Sequence, residues 1–227
     1  MTQSTIPVIT IDGPGGSGKG TLSLHIANAL KWHFLDSGSI YRVLALAVIS
    51  KGLSLDDQTA IENLAINLDV IFQHGTILLE GKEVTFAIRT ETCGNTASKI
   101  AAFPGVRKAL LERQRAFAKT PGLVADGRDM GTVVFPEAIL KIFLEASAEE
   151  RAKRRYLQLK EQNLDVSLSD LFAEIVERDA RDRQRAISPL VPASDAVILD
   201  TTTLSITAVF DKVMEMAKAR GINPAKI

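Results

Sequence analysis

Short apolar runs alternate with stretches of helical spacing along most of this chain. Residues 6–11 read as a buried strand, and from Lys19 the apolar positions Leu22, Ile26, Ala29 and Leu30 recur at helical intervals. A second apolar run ends at Asp36, Ser37 and Gly38. A helix beginning at Ser39 or Ile40 then continues through Leu44, Ala47 and Val48 and stops at Gly52. Residues 123–126, 140–145 and 196–200 are further short apolar runs suited to buried parallel strands. Helical patterns fill the spaces at 91–102, 104–118, 147–162, 168–187 and 204–220, the second opening on Pro104 and the last closing on Gly221. Strands alternating with helices predict an α/β fold with a parallel β-sheet layered between helices.

Between residues 54 and 89 the texture changes. Residues 68–72 and 76–86 have strand character, with a turn at Glu80, Gly81 and Lys82, which predicts a small hairpin-like insert. The expected layout is a single domain over 1–227: a core of 1–53, 90–146 and 188–227, the insert at 54–89, and an arginine-rich helical pair at 147–187.

The stretch IDGPGGSGKGTL separates the first strand from the first helix. Its glycines leave backbone amides uncovered and accept positive φ at little cost. A strand, a glycine loop and a helix start in that order form a nest for phosphate, because unpaired N–H groups meet the positive end of the helix dipole. Gly13, Pro14, Gly15, Gly16, Ser17, Gly18, Lys19, Gly20 and Thr21 match the phosphate-binding loop, with Lys19 as its point charge. One departure stands out: Gly20 occupies the place of the usual Ser or Thr, and the hydroxyl comes one residue later, at Thr21. The loop is expected to hold the phosphates of a nucleotide.

Bulk composition narrows the partners. With 46% hydrophobic residues over 227, the chain can bury a sizeable core. Lys+Arg and Asp+Glu are both 27, so no net field draws it to nucleic acid or to an anionic membrane. The single Cys93 excludes an intrachain disulfide, and His25, His33 and His74 are too widely spaced for a histidine or cysteine metal site. No basic and apolar leader opens the chain, and no apolar run reaches the roughly 18 residues of a membrane span, which places the expected location in the cytoplasm. A monomer is expected, since neither a coiled-coil pattern nor a long apolar strip is present.

In a layered sheet of this kind ligands collect beyond the carboxyl ends of the strands. Three polar clusters fall there and are expected to converge on one cleft: Asp36 and Ser37 with Arg42; Asp126, Gly127, Arg128 and Asp129; and the phosphate loop. Asp126 is placed to hold Mg2+ largely through water, while Thr21 approaches the ion directly. Arg128 can grip a phosphate through its fork, and Asp129 can accept from a donor on a substrate. Farther on, Arg178, Asp182 and Arg185 are spaced i, i+4, i+7, and two guanidiniums flanking a carboxylate suit a phosphorylated sugar. The break at 163–167 makes the two arginine-rich helices a hairpin expected to swing as a lid. Phosphoryl transfer is the chemistry that combines these parts, since it needs neutralised charge, donor held in line with acceptor, and water kept out.

The loop GPGGSGKGT resembles the form found in the nucleoside monophosphate kinases. LDSGSIYR at 35–42, AAFPGVRKALLERQR at 101–115, VADGRDMGTVVFP at 124–136 and ERDARDRQR at 177–185 extend the resemblance, over nearly the whole chain, to the bacterial cytidylate kinases. The resemblance implies a P-loop kinase of pyrimidine nucleotide metabolism with a helical lid and an enlarged monophosphate-binding side. Such an enzyme transfers the γ-phosphate of ATP to CMP and dCMP with Mg2+. It also implies that Ser37, Arg107 and Asp129 meet the cytosine edge with Arg185 nearby, that Arg42, Arg128 and Arg178 hold the acceptor phosphate, and that Ser98 and Asp182 lie at the sugar. Lys19 would bridge donor and acceptor phosphates and, with Arg128 and Arg178, carry the transfer. A carboxylate at Asp129 accepts from the amino group of cytosine but faces the carbonyl of uracil, a mismatch of about 1–3 kcal/mol.

Two alternatives share the loop. Another small-molecule kinase, acting on UMP, AMP or shikimate, should lack the pairing of SGSIYR with GRDMGT. A nucleotide-gated switch protein would want an Asn-Lys-x-Asp guanine reader, which this chain does not contain.

Overall fold

The computed structural model describes residues 6–73, 75–161 and 165–223. His74 lies outside the described residues, as do residues 162–164 at the expected break between the arginine-rich helices. The chain forms two compact units, residues 1–35 with 115–227, and residues 36–114.

The first unit is built on a five-stranded sheet of β1 (Val8–Asp12), β2 (His33–Asp36), β6 (Leu123–Gly127), β7 (Leu140–Glu145) and β8 (Val197–Asp200). The strand order is β2-β6-β1-β7-β8, and the pairs β1–β6, β1–β7 and β7–β8 are parallel. Every residue of β1 is buried, which fits a central strand covered on both faces. Helices α1 (Lys19–Leu30) and α8 (Ile206–Ala219) cover the sheet. From α1 come Leu22, Ile26, Ala27 and Leu30 and from α8 Val209, Val213 and Ala217, all packed with Ile9, Ile11, Val124, Leu140, Ile142 and Leu144. Each such aliphatic side chain contributes about 1.5–3 kcal/mol on full burial, so this layer anchors the sheet. Helices α6 (Ala148–Glu161) and α7 (Leu168–Gln184) pack on each other. Between β6 and β7 lies a π-helical turn, Met130–Val134, which the apolar pattern did not predict.

The second unit contains α2 (Ser37–Ser50), α3 (Gln58–Ile66), a small sheet, a 3-10 turn at Ala87–Arg89, α4 (Glu91–Ile100) and α5 (Pro104–Arg115). Helix α2 packs on α3 and α4, burying Ile40, Val43, Leu44, Ala47 and Val48. Two features of the insert differ from the expected hairpin. Helix α3 is present, started by Asp57, whose carboxylate accepts from the Ala60 amide at 2.9 Å; it buries only Ile61 and Ala65, too narrow a stripe to register as a helical period. The strands are three, β3 (Val70–Gln73), β4 (Thr76–Leu79) and β5 (Lys82–Glu83), in an antiparallel sheet. The expected run of 76–86 is cut at Glu80 and Gly81, both at positive φ, the sign pattern of a type I′ hairpin turn.

Helix α7 stops at Gln184, short of the expected 187. Arg185 already has an extended backbone, and Pro189 follows Ser188, which stands at positive φ. No helix among the described residues is long and apolar enough to cross a membrane.

Candidate functional site

The glycine loop lies at the carboxyl end of β1, the middle strand of the sheet, and delivers the chain into α1. Gly13, Gly16 and Gly18 all stand at positive φ. At Gly13 no other residue fits, because a Cβ there would sit 2.2 Å from the Leu144 carbonyl oxygen of the neighbouring strand. Helix α1 begins after Gly18 with no side chain capping its first amides. By contrast Asp36, Asp57, Thr90, Ser167 and Ser205 cap α2, α3, α4, α7 and α8 through their side-chain oxygens. The start of α1 is thus the one among these whose amides no side chain caps, the arrangement a helix N-terminus has where it meets an anion. Lys19 is buried and arches back so that Nζ donates to the Pro14 carbonyl at 2.8 Å, which holds its charge over the loop. Ser17 Oγ is buried with no hydrogen-bond partner, a polar atom left for a ligand.

Gly20 now has a reason. A Cβ on it would stand 3.3 Å from Asp126 Oδ2, so glycine makes room for the carboxylate next to the end of β6. Asp126 is buried, and Thr21, the next residue along α1, is exposed.

Beyond β6, Arg128 and Asp129 are fixed by different means. Arg128 Nε donates to Asp182 Oδ2 on α7 at 3.0 Å. Burial works against its charge, but Asp182, Asp126 and Asp179 outweigh it and push the guanidinium's pKa up, so Arg128 stays a cation. Asp129 is buried and directly precedes the π-helical turn. That turn is held by a residue the sequence reading passed over. Asp12 Oδ1 accepts from the Met130 amide and Oδ2 from the Gly131 amide, each at 2.8 Å. Burial pushes the Asp12 carboxyl up to about 6 against the pull of those two amides; the charge of Asp129 adds to the rise and Lys19 opposes it. A carboxylate ending an apolar strand just before Gly13 was the available signal, the same one that singled out Asp36 and Asp126.

On α7, Arg178 is half-buried and Asp182 buried. The expected three-residue face is shortened by the early helix end: Arg185 lies just past it, with Nε donating to the Ser188 carbonyl. A cavity of about 330 Å³ adjoins the loop, lined by Ser17, Gly18 and Thr21 and by Thr201, Leu204, Ile206 and Val209 around the start of α8. These last four residues were not expected at the site, because Thr201, Leu204 and Ile206 look like an ordinary strand-to-helix connection.

Four predicted residues belong to the second unit. Ser37, the first residue of α2, donates through Oγ to Gln114 Oε1 at 2.8 Å. Arg42 donates to the carbonyls of Ile88 at 2.8 Å and Thr90 at 3.3 Å, and Gly94 on α4 is bare where a Cβ would come within 2.8 Å of its guanidinium. Ser98 is buried on α4. Arg107 on α5 lies over the Tyr41 ring at 5.9 Å and donates to the Ala101 carbonyl at 3.2 Å. The buried Arg107, the half-buried Arg42 and two buried serines thus all lie in the second unit.

A family model described as cytidylate kinase matches residues 9–219. The chain belongs to the cytidylate kinase family. The cytidylate kinase of Edwardsiella ictaluri is 58% identical over 217 residues, covering 94% of this chain and 96% of its own. That of Klebsiella pneumoniae is 57% identical over 221 residues, covering 96% and 97%. That of Aeromonas hydrophila is 59% identical over 216 residues, covering 93% and 94%. The resemblance stated from the four motifs is therefore a family relation along nearly the entire length.

Proposed function

We propose that this cytidylate kinase family member transfers the γ-phosphate of ATP to CMP, and to dCMP, acting as a cytoplasmic monomer on small molecules. The observation that carries the donor half is the uncapped start of α1 with Lys19 arched over the loop, in a chain whose other capped helices use side chains for the purpose. Residues 13–21 take the phosphates, and the cavity beside Ser17, Thr201 and Leu204 takes the purine.

Mg2+, where bound, neutralises charge on the phosphates, with Thr21 and Asp126 holding its water shell. Arg42, Arg128 and Arg178 hold the acceptor phosphate, Ser98 and Asp182 the sugar, and Ser37, Arg107, Asp129 and Arg185 the cytosine. Lys19, Arg128 and Arg178 surround the group in flight, so that charge moving from donor to acceptor meets fixed cations rather than water. In support, Arg42 and Arg107 are oriented by carbonyls and an aromatic ring before any substrate arrives. Equal Lys+Arg and Asp+Glu totals support small-molecule substrates over nucleic acid.

One coupled assay tests the reading: ATP offered with CMP, dCMP, UMP, AMP and shikimate. Turnover with the cytidine acceptors well above the rest is expected; no preference among acceptors would defeat the assignment of substrate while leaving a kinase.

A further inference from the structure

Arg151, near the start of α6, is a buried guanidinium whose partners come from three places. Its Nε donates to the Ala146 carbonyl at 2.9 Å, and its Nη1 to the Gly15 carbonyl at 3.0 Å and to Asp179 Oδ1 at 3.1 Å. Its Nη2 donates to Asp179 Oδ2. The side chain of Arg151 is 4% exposed and that of Asp179 19%. Its stem lies beneath the phosphate loop: a Cβ built on Gly16, at φ +78°, would stand 3.2 Å from Arg151 Cβ. Asp179 and Asp182 are one turn apart on α7, so their carboxylates share a face, one taking Arg151 and the other Arg128. Neither Arg151 nor Asp179 is among the substrate contacts proposed above.

We propose that Arg151, held by Asp179, is a positioning residue that couples helix α7 to the shape of the phosphate loop and so to the grip on the donor; this rests on reading that loop as the donor site. Two effects make the link. A guanidinium and a carboxylate bonded fork to fork fix both distance and orientation, so with Nε tied to the Ala146 carbonyl the contact at Gly15 is delivered at an angle that depends on α7. A hydrogen bond to the Gly15 carbonyl also polarises the peptide that joins Gly15 to Gly16 and strengthens the Gly16 N–H as a donor. Because coupling free energy is reciprocal, a donor that favours this peptide orientation also favours α7 in its present seat. The helix that carries Arg178 and Asp182 is thereby informed of what the loop holds.

Asp179→Asn keeps the size and removes the charge; Arg151→Lys keeps the charge and removes the fork. Each is titrated with ATP in the absence of acceptor, beside the wild type, and its KM for CMP is measured. Both variants should bind ATP roughly tenfold more weakly, while KM for CMP stays within about twofold. The double variant should bind ATP no more weakly than the weaker single one, since both changes interrupt one chain of contacts. ATP affinity unchanged in both single variants, with only the melting temperature lowered, overturns the proposal. A wild type that binds no ATP, or binds it as well as Lys19→Met does, overturns the reading of the loop and the coupling with it. If Asp179→Asn fails to fold, Arg151→Lys decides alone on the same two readouts.

Discussion

Arg128 and Asp182 form an ion pair with Nε and Oδ2 3.0 Å apart, the carboxylate side chain 7% exposed and the guanidinium 23%. Removing Arg128 takes from the buried Asp182 carboxylate a counter-charge at 3.0 Å. Arg128→Met should therefore lower stability by about 2 kcal/mol, below the roughly 3–5 kcal/mol of a fully buried pair because the guanidinium retains some contact with water. Arg128→Met with Asp182→Leu should lose less than Arg128→Met alone. Urea unfolding of the three proteins checks both statements.

Asp12 predicts an inverted pH response. Its carboxyl is raised from 3.8 to about 6 in the folded chain, so between those values the native state holds the proton more tightly than the unfolded state. Stability contributed by this group is greatest at low pH and falls as pH rises through about 6. Relative to Asp12→Asn, the wild type should be about 1 kcal/mol more favoured at pH 5 than at pH 7. Denaturant melts of both proteins at the two pH values measure the difference, and a gap of the opposite sign would contradict the burial of an ionisable Asp12.

Asp129→Ala should erode the preference for CMP over UMP by roughly tenfold, the scale of one lost base contact, while slowing ATP hydrolysis less. The ratio of kcat/KM for the two acceptors is the relevant measurement. Equal losses for both would remove Asp129 from the base edge.

The two loop glycines Gly13 and Gly18 separate collision from strain. Gly13→Ala drives a Cβ to 2.2 Å from the Leu144 carbonyl of β7 and should cost about 3 kcal/mol. Gly18→Ala, at φ +90° with nothing within 4 Å of its Cβ, should cost about 1 kcal/mol. Thermal or urea unfolding separates the two.

The main sheet was legible because its strands are short, mostly apolar and followed by polar or glycine-bearing turns; residues 140–145 were placed to the residue as Leu140–Glu145. The turn from β1 into α1 was legible because a backbone at positive φ is written as glycine, at Gly13, Gly16 and Gly18. Helix α3 was not, since two buried residues at i and i+4 make no periodic signal. The π-helical turn was not, because what holds Met130 and Gly131 is Asp12, more than a hundred positions earlier. Arg151 was hidden among arginines that look alike in sequence: only burial separates it from the half-exposed Arg154 and Arg155. Arg185 was assigned to a helical face because the pattern of charges runs one residue past Gln184, where the helix stops and the backbone turns extended.

The carboxyl end of β1 carries two loads at once, with Gly13 opening the phosphate loop and Asp12 moored to the amides behind Asp129. The glycine loop and the turn behind Asp129 thus share one foundation, and a tremor in that strand displaces both together. Transplanting the glycine loop alone into another sheet would leave the mooring behind, so the smallest portable piece of this apparatus includes the strand beneath it.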